Sequence, residues 1–306
     1  MAVEFRHVPV RVAVPASCAN LGPAFDCAGL ALGIEDDLVA MISDDPGVLI
    51  EVMGEGSEEV PRDDSHLVAR AMALGFAALH ARPPGFVLRC TNTIPHGKGL
   101  GSSAAAIIGG LALARALVID GELLLPDSLL IQAARSLESH PDNISAALYG
   151  GLTFSWVDDA GLAGTINYTL HPDINLVVAV PGTGLLTTQA RAVLPGQVPF
   201  RDASFNLARS ALLVHALTVD PAFLMEATKD RLHQESRRPM YSDSLDLVEK
   251  LRGVGVPAVI SGAGPSVLVF GDATTKLVVD DQAGEGWAVR TVDVCSAGVR
   301  EVPLHN

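Results

Sequence analysis

Alternation of apolar and polar residues predicts strands in the first part of the chain. It runs through residues 8–15, 36–42 and 86–94, with the period of two that is typical of a strand with one buried face. Residues 66–79 instead place apolar residues at helical spacing, and the sequence RPPG that ends at Gly85 stops a helix. The pattern therefore predicts a mixed β segment with one early helix.

The rest of the chain mixes helical and extended patterns. An Ala- and Leu-rich run predicts a long helix over residues 104–118, and a second helix is expected from Pro126 to about Glu138. Further helices are expected over 144–149, 187–193, 202–217, 221–232 and 243–251, and strands over 152–157, 175–180, 258–260, 266–270, near Val278 and over 288–294. This order predicts an α+β fold, which we divide into an N-terminal domain, residues 1–160, and a C-terminal domain, residues 161–306.

Composition and charge exclude several classes of function. The chain has 306 residues, a net charge of −14 and 49% hydrophobic residues, which is enough for a sizeable core. It has no Lys/Arg run of the kind that follows a nucleic-acid backbone, so nucleic acid is not expected as a partner. It also has no apolar leader and no membrane-length apolar stretch. A cytoplasmic enzyme or binding protein is therefore expected, one that binds anions through local donors and a metal.

The sequence IPHGKGLGSSAAA, residues 94–106, carries the strongest functional signal. Three glycines remove side chains from a loop between a predicted strand and a predicted helix, so backbone N–H groups can approach an anion at the positive end of the helix dipole. Neither G-x-G-x-x-G nor G-x-x-x-x-G-K-[ST] fits, and the alternative is a small-residue turn before a buried helix. The restrictive string GLGSSAAA favours phosphate binding, with Ser102 and Ser103 as an N-cap and hydroxyl ligands.

Two oxygen-bearing side chains could hold Mg²⁺. Glu138 is expected at the end of a helix, where the dipole disfavours a carboxylate, so it is either a solvated surface residue or a metal ligand. Magnesium prefers hard oxygen ligands, commonly a carboxylate, a hydroxyl, nucleotide phosphates and water. Ser103 and Glu138 would supply the protein part of that set.

Other polar residues are ambiguous when taken singly. His140 is either a turn residue or a ligand, and Asn143 or Asp142 could cap the helix that follows. Arginines are scarce in this acidic chain. They could pair with surface carboxylates, or two of them could form a clamp for a substrate carboxylate; the candidates are Arg191, Arg231, Arg237 and Arg238. Lys98 is expected to be solvated rather than bound to phosphate.

In these motifs the chain resembles the GHMP kinase superfamily and, within it, the homoserine kinases. Three superfamily motifs occur in order: VPASCANLGPAFD at 14–26, GLGSSAAA at 99–106 and SGAGPS at 261–266. The segments ESHPDN at 138–143, TQAR at 188–191 and DRLHQESR at 230–237 are similar to segments of homoserine kinases. The resemblance covers nearly the whole chain.

The resemblance implies a fold, substrates and site residues. The N-terminal domain would be like domain 2 of ribosomal protein S5, the C-terminal domain would be ferredoxin-like, and ATP would lie between them. The residues expected to bind ATP are Pro95, His96, Gly97, Lys98, Gly99, Leu100, Gly101, Ser102, Ser103 and Ala104. Asn20, Asp26, His140 and Asn143 would surround the amino-alcohol part of L-homoserine, and Arg191 and Arg237 would hold its carboxylate. Ser103 and Glu138 would carry Mg²⁺.

Some positions depart from the family pattern. Cys18, Ala24 and Ser139 are small-for-small replacements, whereas the segment before Arg237 lacks the usual Pro-Tyr, and the segment 63–66 lacks the Asn expected near adenine. An alcohol is too weak an acid for a carboxylate to deprotonate it beforehand. We therefore expect Asp26 and Asn143 to act in catalysis by orienting the hydroxyl, while its proton leaves late, to phosphate.

Other functions on the same scaffold are open at this point. One is a kinase for another small alcohol such as mevalonate, and another is a nucleotide or amino-acid sensor without turnover. Ser103, Glu138 and the glycine loop argue against a sensor, since a sensor does not need a metal-bridged γ-phosphate. Exposed apolar strands in the second half indicate a homodimer.

Overall fold

A computed structural model describes residues 3–185 and 187–304 of the chain. Its helices and strands follow one another as β1 (Val10–Ala19), β2 (Ala28–Ser43), β3 (Gly47–Gly54), α1 (Leu67–Ala78), β4 (Gly85–Asn92), α2 (Ser102–Leu117), α3 (Gly121–Leu124), α4 (Asp127–Ala134), α5 (Pro141–Tyr149), β5 (Leu152–Val157), β6 (Ala163–Tyr168), β7 (Asn175–Pro181), α6 (Thr187–Ala192), α7 (Phe200–Thr218), α8 (Leu224–Ala227), α9 (Ser242–Gly253), β8 (Ala258–Ile260), β9 (Val267–Gly271), α10 (Thr275–Ala283), β10 (Trp287–Val292) and β11 (Arg300–Glu301). Short 3₁₀ helices cover Pro221–Phe223 and Glu235–Met240.

The first sheet has seven strands and is built around β2. Its order is β11-β1-β2-β4-β3, and β5 and β6 continue it from the other part of β2. The 16 residues of β2 extend well beyond the predicted strand 36–42, because the first part of β2 pairs with β5 and the second with β4. β3 and β4 run parallel, and β1 and β2 are antiparallel with a register shift after Pro15.

The second sheet has four antiparallel strands in the order β10-β7-β9-β8. Both faces of β7 are buried. Leu176 and Val178 pack into the larger core, which also contains the first sheet, whereas Val177 and Ala179 pack into a smaller core with α9 and α10. The strand predicted near Val278 is wrong, since this residue lies in α10.

The larger core is continuous between the two sheets. It joins residues of β1, β2 and α2 to residues of β7 and β9. The predicted boundary at residue 160 falls in the turn between β5 and β6, which are hydrogen-bonded partners, whereas the change of sheet comes between Tyr168 and Asn175. β11 then returns from the C-terminal end to pair with β1. The division at residue 160 stays a prediction. The chain passes from the first sheet to the second only after β6.

The helices confirm some sequence predictions and correct others. The long helix α2 is confirmed, and its packing against α1 is close, since a Cβ at Gly110 would lie 2.5 Å from the carbonyl oxygen of Val68. The helix predicted to reach Glu138 ends at Ala134. The helix predicted over 221–232 is only a short 3₁₀ turn followed by α8, because the side chain of Asp230 accepts backbone N–H groups of the segment that follows.

None of the helices in the described part of the chain has both the length and the apolar character needed to cross a membrane.

Candidate active site

The glycine loop between β4 and α2 has the backbone that close contact requires. Gly99 and Gly101 have φ angles of 74° and 72°, in the left-handed region that favours glycine. A Cβ at Gly99 would lie 2.4 Å from the carbonyl oxygen of Ser261, and one at Gly101 would lie 2.0 Å from Oγ of Ser17. The loop is therefore pressed against both the second sheet and β1, and side chains cannot be added at these two positions.

The glycine loop leads directly into the N-terminus of α2. Gly101 is the N-cap and makes no side-chain hydrogen bond, so the prediction that Ser102 or Ser103 caps this helix is wrong. Both serines lie in the first turn, where N–H groups have no partner within the helix. Their hydroxyls and the first N–H groups are thus available to a ligand.

A cavity of about 220 Å³ opens in front of this helix end. The loop and the first turn of α2 line it together with Glu138, Asn143, Leu185 and residues 262–263. The structure therefore brings Ser103 and Glu138 to the same cavity, although the two are far apart in the sequence. The cavity lies where the two sheets meet.

A second cavity, of about 280 Å³, shares Ser102 and Ser103 with the first. Its walls are largely apolar and include Val60, Pro61 and Leu67, with polar groups from other residues such as His66 and His96. His96, expected at the phosphates, lines this second cavity and not the first. Pro95 lines neither of these two cavities.

Lys98 is partly exposed, and its ammonium group also has partners within the chain. Its Nζ donates to the carbonyl oxygens of Pro181 and Gly182 at 3.0 and 2.6 Å. The amine therefore ties the glycine loop to the end of β7.

Glu138 and His140 form a hydrogen-bonded pair beside the first cavity. Oε1 of Glu138 lies 2.9 Å from Nδ1 of His140 and accepts the His140 N–H at 3.2 Å. Burial alone would raise the pKa of Glu138, but the hydrogen bonds and positive charge of His140, together with Arg191, outweigh burial and lower it. The hydrogen bond to Glu138 in turn raises the pKa of His140. Glu138 is thus held ionised.

Asn143 is fixed by a residue that sequence reasoning missed. Asn143 lies inside α5, whose N-cap is His140, so its predicted capping role is wrong, as is that of Asp142. Its Oδ1 accepts a hydrogen bond from Oγ of Ser17 at 2.8 Å. No described residue accepts from Nδ2 of Asn143, so that amide group is free to face a ligand. Ser17 lies beyond the end of the predicted strand 8–15, but it belongs to β1.

Asp142, beside Asn143, is a buried carboxyl group. Its Oδ1 accepts the Asn143 N–H at 2.7 Å, and it is only 3% exposed. Burial raises the pKa of Asp142 to about 7, and the nearby charge of Asp26 acts in the same direction.

Asp26 and Arg191, predicted to contact different parts of a substrate, bind each other. Nη2 and Nη1 of Arg191 donate to the two carboxylate oxygens of Asp26 at 2.6 and 3.2 Å. The backbone of Asp26 has a φ of 55°, and Oδ1 of Asn20 accepts its N–H at 2.9 Å. Nε2 of His140 is 4.0 Å from Oδ2 of Asp26. Four of the predicted substrate residues therefore form one cluster.

Arg237 and Arg238 have different environments. Arg237 is 2% exposed; its Nε donates to the Ala190 carbonyl oxygen at 2.9 Å, and its Nη1 lies 2.9 Å from Nδ1 of His233. Arg238 instead forms ion pairs with exposed carboxylates, those of Glu235, Asp246 and Glu249. Of the two, Arg237 has the position next to the Asp26 cluster.

Phe25 is a second residue that sequence reasoning missed. Its ring centroid is 5.3 Å from the guanidinium carbon of Arg191 and 5.4 Å from that of Arg237, and the ring stacks on His233 at 4.9 Å. The ring of Phe25 therefore makes cation–π contacts with two guanidinium groups. The only sequence signal was its place directly before Asp26.

Comparison with known proteins agrees with this architecture. The family model described as GHMP kinases N terminal domain matches residues 66–151. Homoserine kinases of Streptomyces coelicolor and Streptomyces avermitilis are each 49% identical to the chain over 300 residues, which is 98% of this chain and 96% and 98% of theirs. The crystal structure of homoserine kinase from Cytophaga hutchinsonii matches with a TM-score of 0.83 at 22% identity, covering 98% of both chains.

The fold, with its glycine loop at a helix N-terminus between two sheets, defines a small-molecule kinase of the GHMP type. Sequence identity of 49% over 98% of the chain then defines the family within this class. The chain belongs to the homoserine kinase family. The expected fold class, α+β with the GHMP kinase architecture, is confirmed.

Proposed function

We propose that the chain transfers the γ-phosphoryl group of ATP to the side-chain hydroxyl of L-homoserine, giving O-phospho-L-homoserine for threonine biosynthesis. Membership of the homoserine kinase family supports this reaction. The observation that carries the proposal is the meeting of three parts at one cavity: the glycine loop with the first turn of α2, Glu138, and Asn143. We place the reaction in the cytoplasm.

ATP fits the two adjoining cavities in one orientation. Its phosphates would occupy the cavity at the start of α2, where free N–H groups and the helix dipole favour anions. Its base and ribose would extend past Ser102 and Ser103 into the apolar cavity beside Val60 and Leu67. An apolar cavity with few polar groups suits a planar base.

Ser103 and Glu138 are suitable ligands for Mg²⁺. Both line the phosphate cavity, the pKa of Glu138 is lowered once burial is outweighed by the hydrogen bonds of His140, and no described side chain donates to its Oε2. No cluster of three or more His, Cys, Asp or Glu among the described residues could hold a metal by itself. When bound through nucleotide phosphates, Ser103 and Glu138, Mg²⁺ would neutralise phosphate charge.

L-Homoserine would bind by separating the ion pair between Asp26 and Arg191, so that each of these side chains pairs with the substrate instead. Its carboxylate would take the guanidinium of Arg191, assisted by Arg237, and its ammonium would take the carboxylate of Asp26. Both guanidinium groups lie close to the ring of Phe25, and bidentate Arg–carboxylate pairs are among the stronger polar contacts. Asn20 would hold the backbone of Asp26 during the exchange, and His140 would line the same side.

Transfer itself requires alignment and charge neutralisation more than a strong base. The free amide of Asn143 would donate to the hydroxyl oxygen of homoserine, and Asp26 would keep the bound amino acid in place. The hydroxyl oxygen forms the bond to the γ-phosphorus as the bond to the β-phosphate oxygen breaks. The hydroxyl proton leaves late, to a phosphate oxygen.

A coupled assay of ADP release tests the proposal. We expect ATP-dependent turnover with L-homoserine, and little with mevalonate or threonine as the sole acceptor. Turnover with mevalonate in preference to homoserine would replace the proposed substrate by another small alcohol. Binding of nucleotide without turnover on any acceptor would identify a sensor instead.

A further inference from the structure

The apolar cavity of about 280 Å³ beside Val60 and Leu67 contains nearly buried polar side chains. Asp36, His66 and Asn92 line it and are 5%, 5% and 9% exposed. Each side chain uses one polar atom within the protein and leaves the other without a partner among the described residues. We call these three unpartnered atoms the polar triplet: Oδ2 of Asp36, Nε2 of His66 and Oδ1 of Asn92. Buried polar atoms without partners are costly, so the polar triplet indicates a ligand.

His66 contributes a hydrogen-bond donor to the polar triplet. This residue is the N-cap of α1, and its Nδ1 accepts the N–H of Val68 at 3.2 Å. A ring nitrogen that accepts a hydrogen bond carries no proton, so the ring hydrogen lies on Nε2. Burial lowers the pKa of His66, and the nearby charge of His96 acts in the same direction, which favours this neutral form. Nε2–H is therefore available to a ligand.

Asp36 and Asn92 contribute two hydrogen-bond acceptors. Oδ1 of Asp36 accepts the N–H groups of Thr93 and Ile94 at 2.7 and 2.9 Å, which leaves Oδ2. Nδ2 of Asn92 donates to the carbonyl oxygen of Glu55 at 3.1 Å, which fixes the orientation of the amide and leaves Oδ1. Both remaining atoms are oxygens that can accept from a ligand.

The sheet places these two acceptors side by side. Leu38 of β2 is paired with Cys90 of β4, and both residues are buried. Asp36 and Asn92 lie two residues further along the two antiparallel strands. Because side chains alternate along a strand, they share the face of Leu38 and Cys90 and stand opposite each other.

We propose that the polar triplet recognises the 6-amino group of adenine and a ring nitrogen beside it. This inference rests on the proposed function, which places the base of ATP in this cavity. Nε2–H of His66 donates to the ring nitrogen, while the oxygens of Asp36 and Asn92 accept the two amino hydrogens. These three residues determine nucleotide specificity and take no part in the transfer step.

The chemistry of the polar triplet selects against a 6-oxo purine. Hypoxanthine carries an oxygen in place of the amino group and a proton on N1, so two acceptors would face its oxygen. Burial raises the pKa of Asp36, against the opposing effect of the backbone N–H groups of Ile94 and Thr93. Its free carboxylate oxygen therefore gains from a donor such as the amino group. A site whose buried polar atoms require a particular partner strongly rejects an analogue that lacks it.

The first test compares ATP with ITP, which differs from ATP only at the 6-position and N1. We expect kcat/KM with homoserine to be about 100-fold lower for ITP, and isothermal titration calorimetry without homoserine to give the same preference for ADP over IDP. Asp36→Asn keeps an oxygen for Thr93 and Ile94 but offers an NH₂ group to the cavity. The preference should then fall at least about tenfold.

Asp37→Asn is the matched control for D36N. Asp37 is the next carboxylate on β2 and is bound to Arg11 instead, so D37N should keep the wild-type preference. Equal binding of ADP and IDP by the wild type, or an unchanged preference in D36N, would overturn the proposal. Preference for ADP without turnover on any acceptor would support base recognition and contradict the proposed reaction. Equal turnover with ATP and ITP would contradict base recognition alone.

The second test examines His66 with analogues that lack one ring nitrogen. N1 and N7 both lie beside the amino group, and 1-deaza-ADP and 7-deaza-ADP each replace one of them by C–H. The wild type should bind one of the two about tenfold more weakly than ADP. His66→Ser keeps a side chain that caps a helix but is too short to replace Nε2, so H66S should bind that analogue and ADP equally. Equal binding of all three by the wild type, or a difference that persists in H66S, would contradict the role of His66.

Discussion

At the scale of single residues, the candidate site depends on how one amide is oriented. Ser17 donates to Oδ1 of Asn143, which turns the NH₂ group of Asn143 toward the cavity that both Glu138 and the glycine loop line. An asparagine cannot accept the proton of the hydroxyl as a base would. Asn143 would instead orient the substrate hydroxyl. Ser17 orients the amide of Asn143 and is therefore a positioning residue.

Replacement of Ser17 by Ala should therefore lower kcat. Loss of a hydrogen bond of about 0.5–1.5 kcal/mol corresponds to a fall of roughly 2- to 13-fold, with the KM for ATP little changed. Steady-state kinetics with saturating ATP measure this effect, and Ser136→Ala, which removes an exposed hydroxyl, is the control. In an Asn143→Ala background S17A should have no further effect. Equal losses in both backgrounds would rule out action through Asn143.

Arg237 and Arg238 offer a matched pair of substitutions. Arg237→Lys removes the planar donor set of a buried guanidinium, so the KM for homoserine should rise roughly 10- to 100-fold, as expected for hydrogen bonds to charged groups. Arg238→Lys alters only ion pairs with exposed carboxylates and should change the KM by less than about twofold. The KM for ATP should stay constant in both. A larger effect for R238K would reverse the assignment.

Sequence motifs identified many of these side chains but not their partners. Asp26, Arg191 and Glu138 could be selected because they stand in motifs. Their mutual contacts could not, since Arg191 is 165 residues from Asp26 and Ser17 is 126 residues from Asn143. Such contacts depend on how the elements pack, and the partners of Lys98 could not be predicted for the same reason: its acceptors lie at the end of β7.

At the scale of elements, the first turn of α5 contains Asp142, whose carboxyl group makes the free energy of unfolding depend on pH. An unfolded aspartate has an ordinary pKa of 3.8, whereas burial raises that of Asp142 to about 7. Between these values the folded chain keeps a proton that the unfolded chain has lost. Folding is therefore favoured at the acidic end of this range, and the contribution is lost as pH rises, by at most about 1.4 kcal/mol per pH unit.

Asp142→Asn should remove this dependence. Relative to the variant, the wild type should lose a few kcal/mol of unfolding free energy between pH 4 and pH 7. Urea denaturation at several pH values measures the difference, and Asp243→Asn, an exposed residue in the first turn of α9, controls for loss of a carboxylate at a helix start. A constant difference between wild type and D142N at all pH values would contradict the raised pKa.

Two substitutions in the glycine loop can separate the cost of a left-handed backbone from the cost of a close contact. Gly97 and Gly99 both have positive φ angles, 64° and 74°, but a Cβ at Gly97 would meet no atom closer than 3.6 Å, whereas one at Gly99 would lie 2.4 Å from a carbonyl oxygen of Ser261. Gly97→Ala should cost about 1–2 kcal/mol through the left-handed backbone alone. Gly99→Ala should cost about 1–3 kcal/mol more through overpacking and raise the KM for ATP. Equal unfolding free energies would contradict the close contact.

Periodicity located the helices and strands better than it located their ends. The pattern found α1, α2 and α7 because each has a long run with an apolar side or an apolar interior. It overran α4 and α8. After α8, the side chain of Asp230 accepts backbone N–H groups that a longer helix would use. It did not include β6, a short edge strand without a fully buried residue.

At the scale of the whole molecule, the two sheets share their larger core. β7 and β9 contribute to the same apolar cluster as β1, β2 and α2, and β11 closes the first sheet from the far end of the chain. Sequence reasoning predicted two domains because length and composition favour them. A shared core means that neither part can bury its apolar surface fully without the other.

The shared core predicts one cooperative unfolding transition, and the two tryptophans can test it. The chain has 2 tryptophans, Trp156 on β5 of the first sheet and Trp287 on β10 of the second. Trp287→Phe leaves a reporter for the first sheet, and Trp156→Phe leaves one for the second. In each variant the fluorescence midpoint in urea should coincide with its own midpoint by far-UV circular dichroism, as a two-state transition requires. Fluorescence midpoints that depart from circular dichroism in opposite directions in the two variants would mean that the sheets unfold separately. The division at residue 160 would then describe units that unfold on their own, despite the core between them.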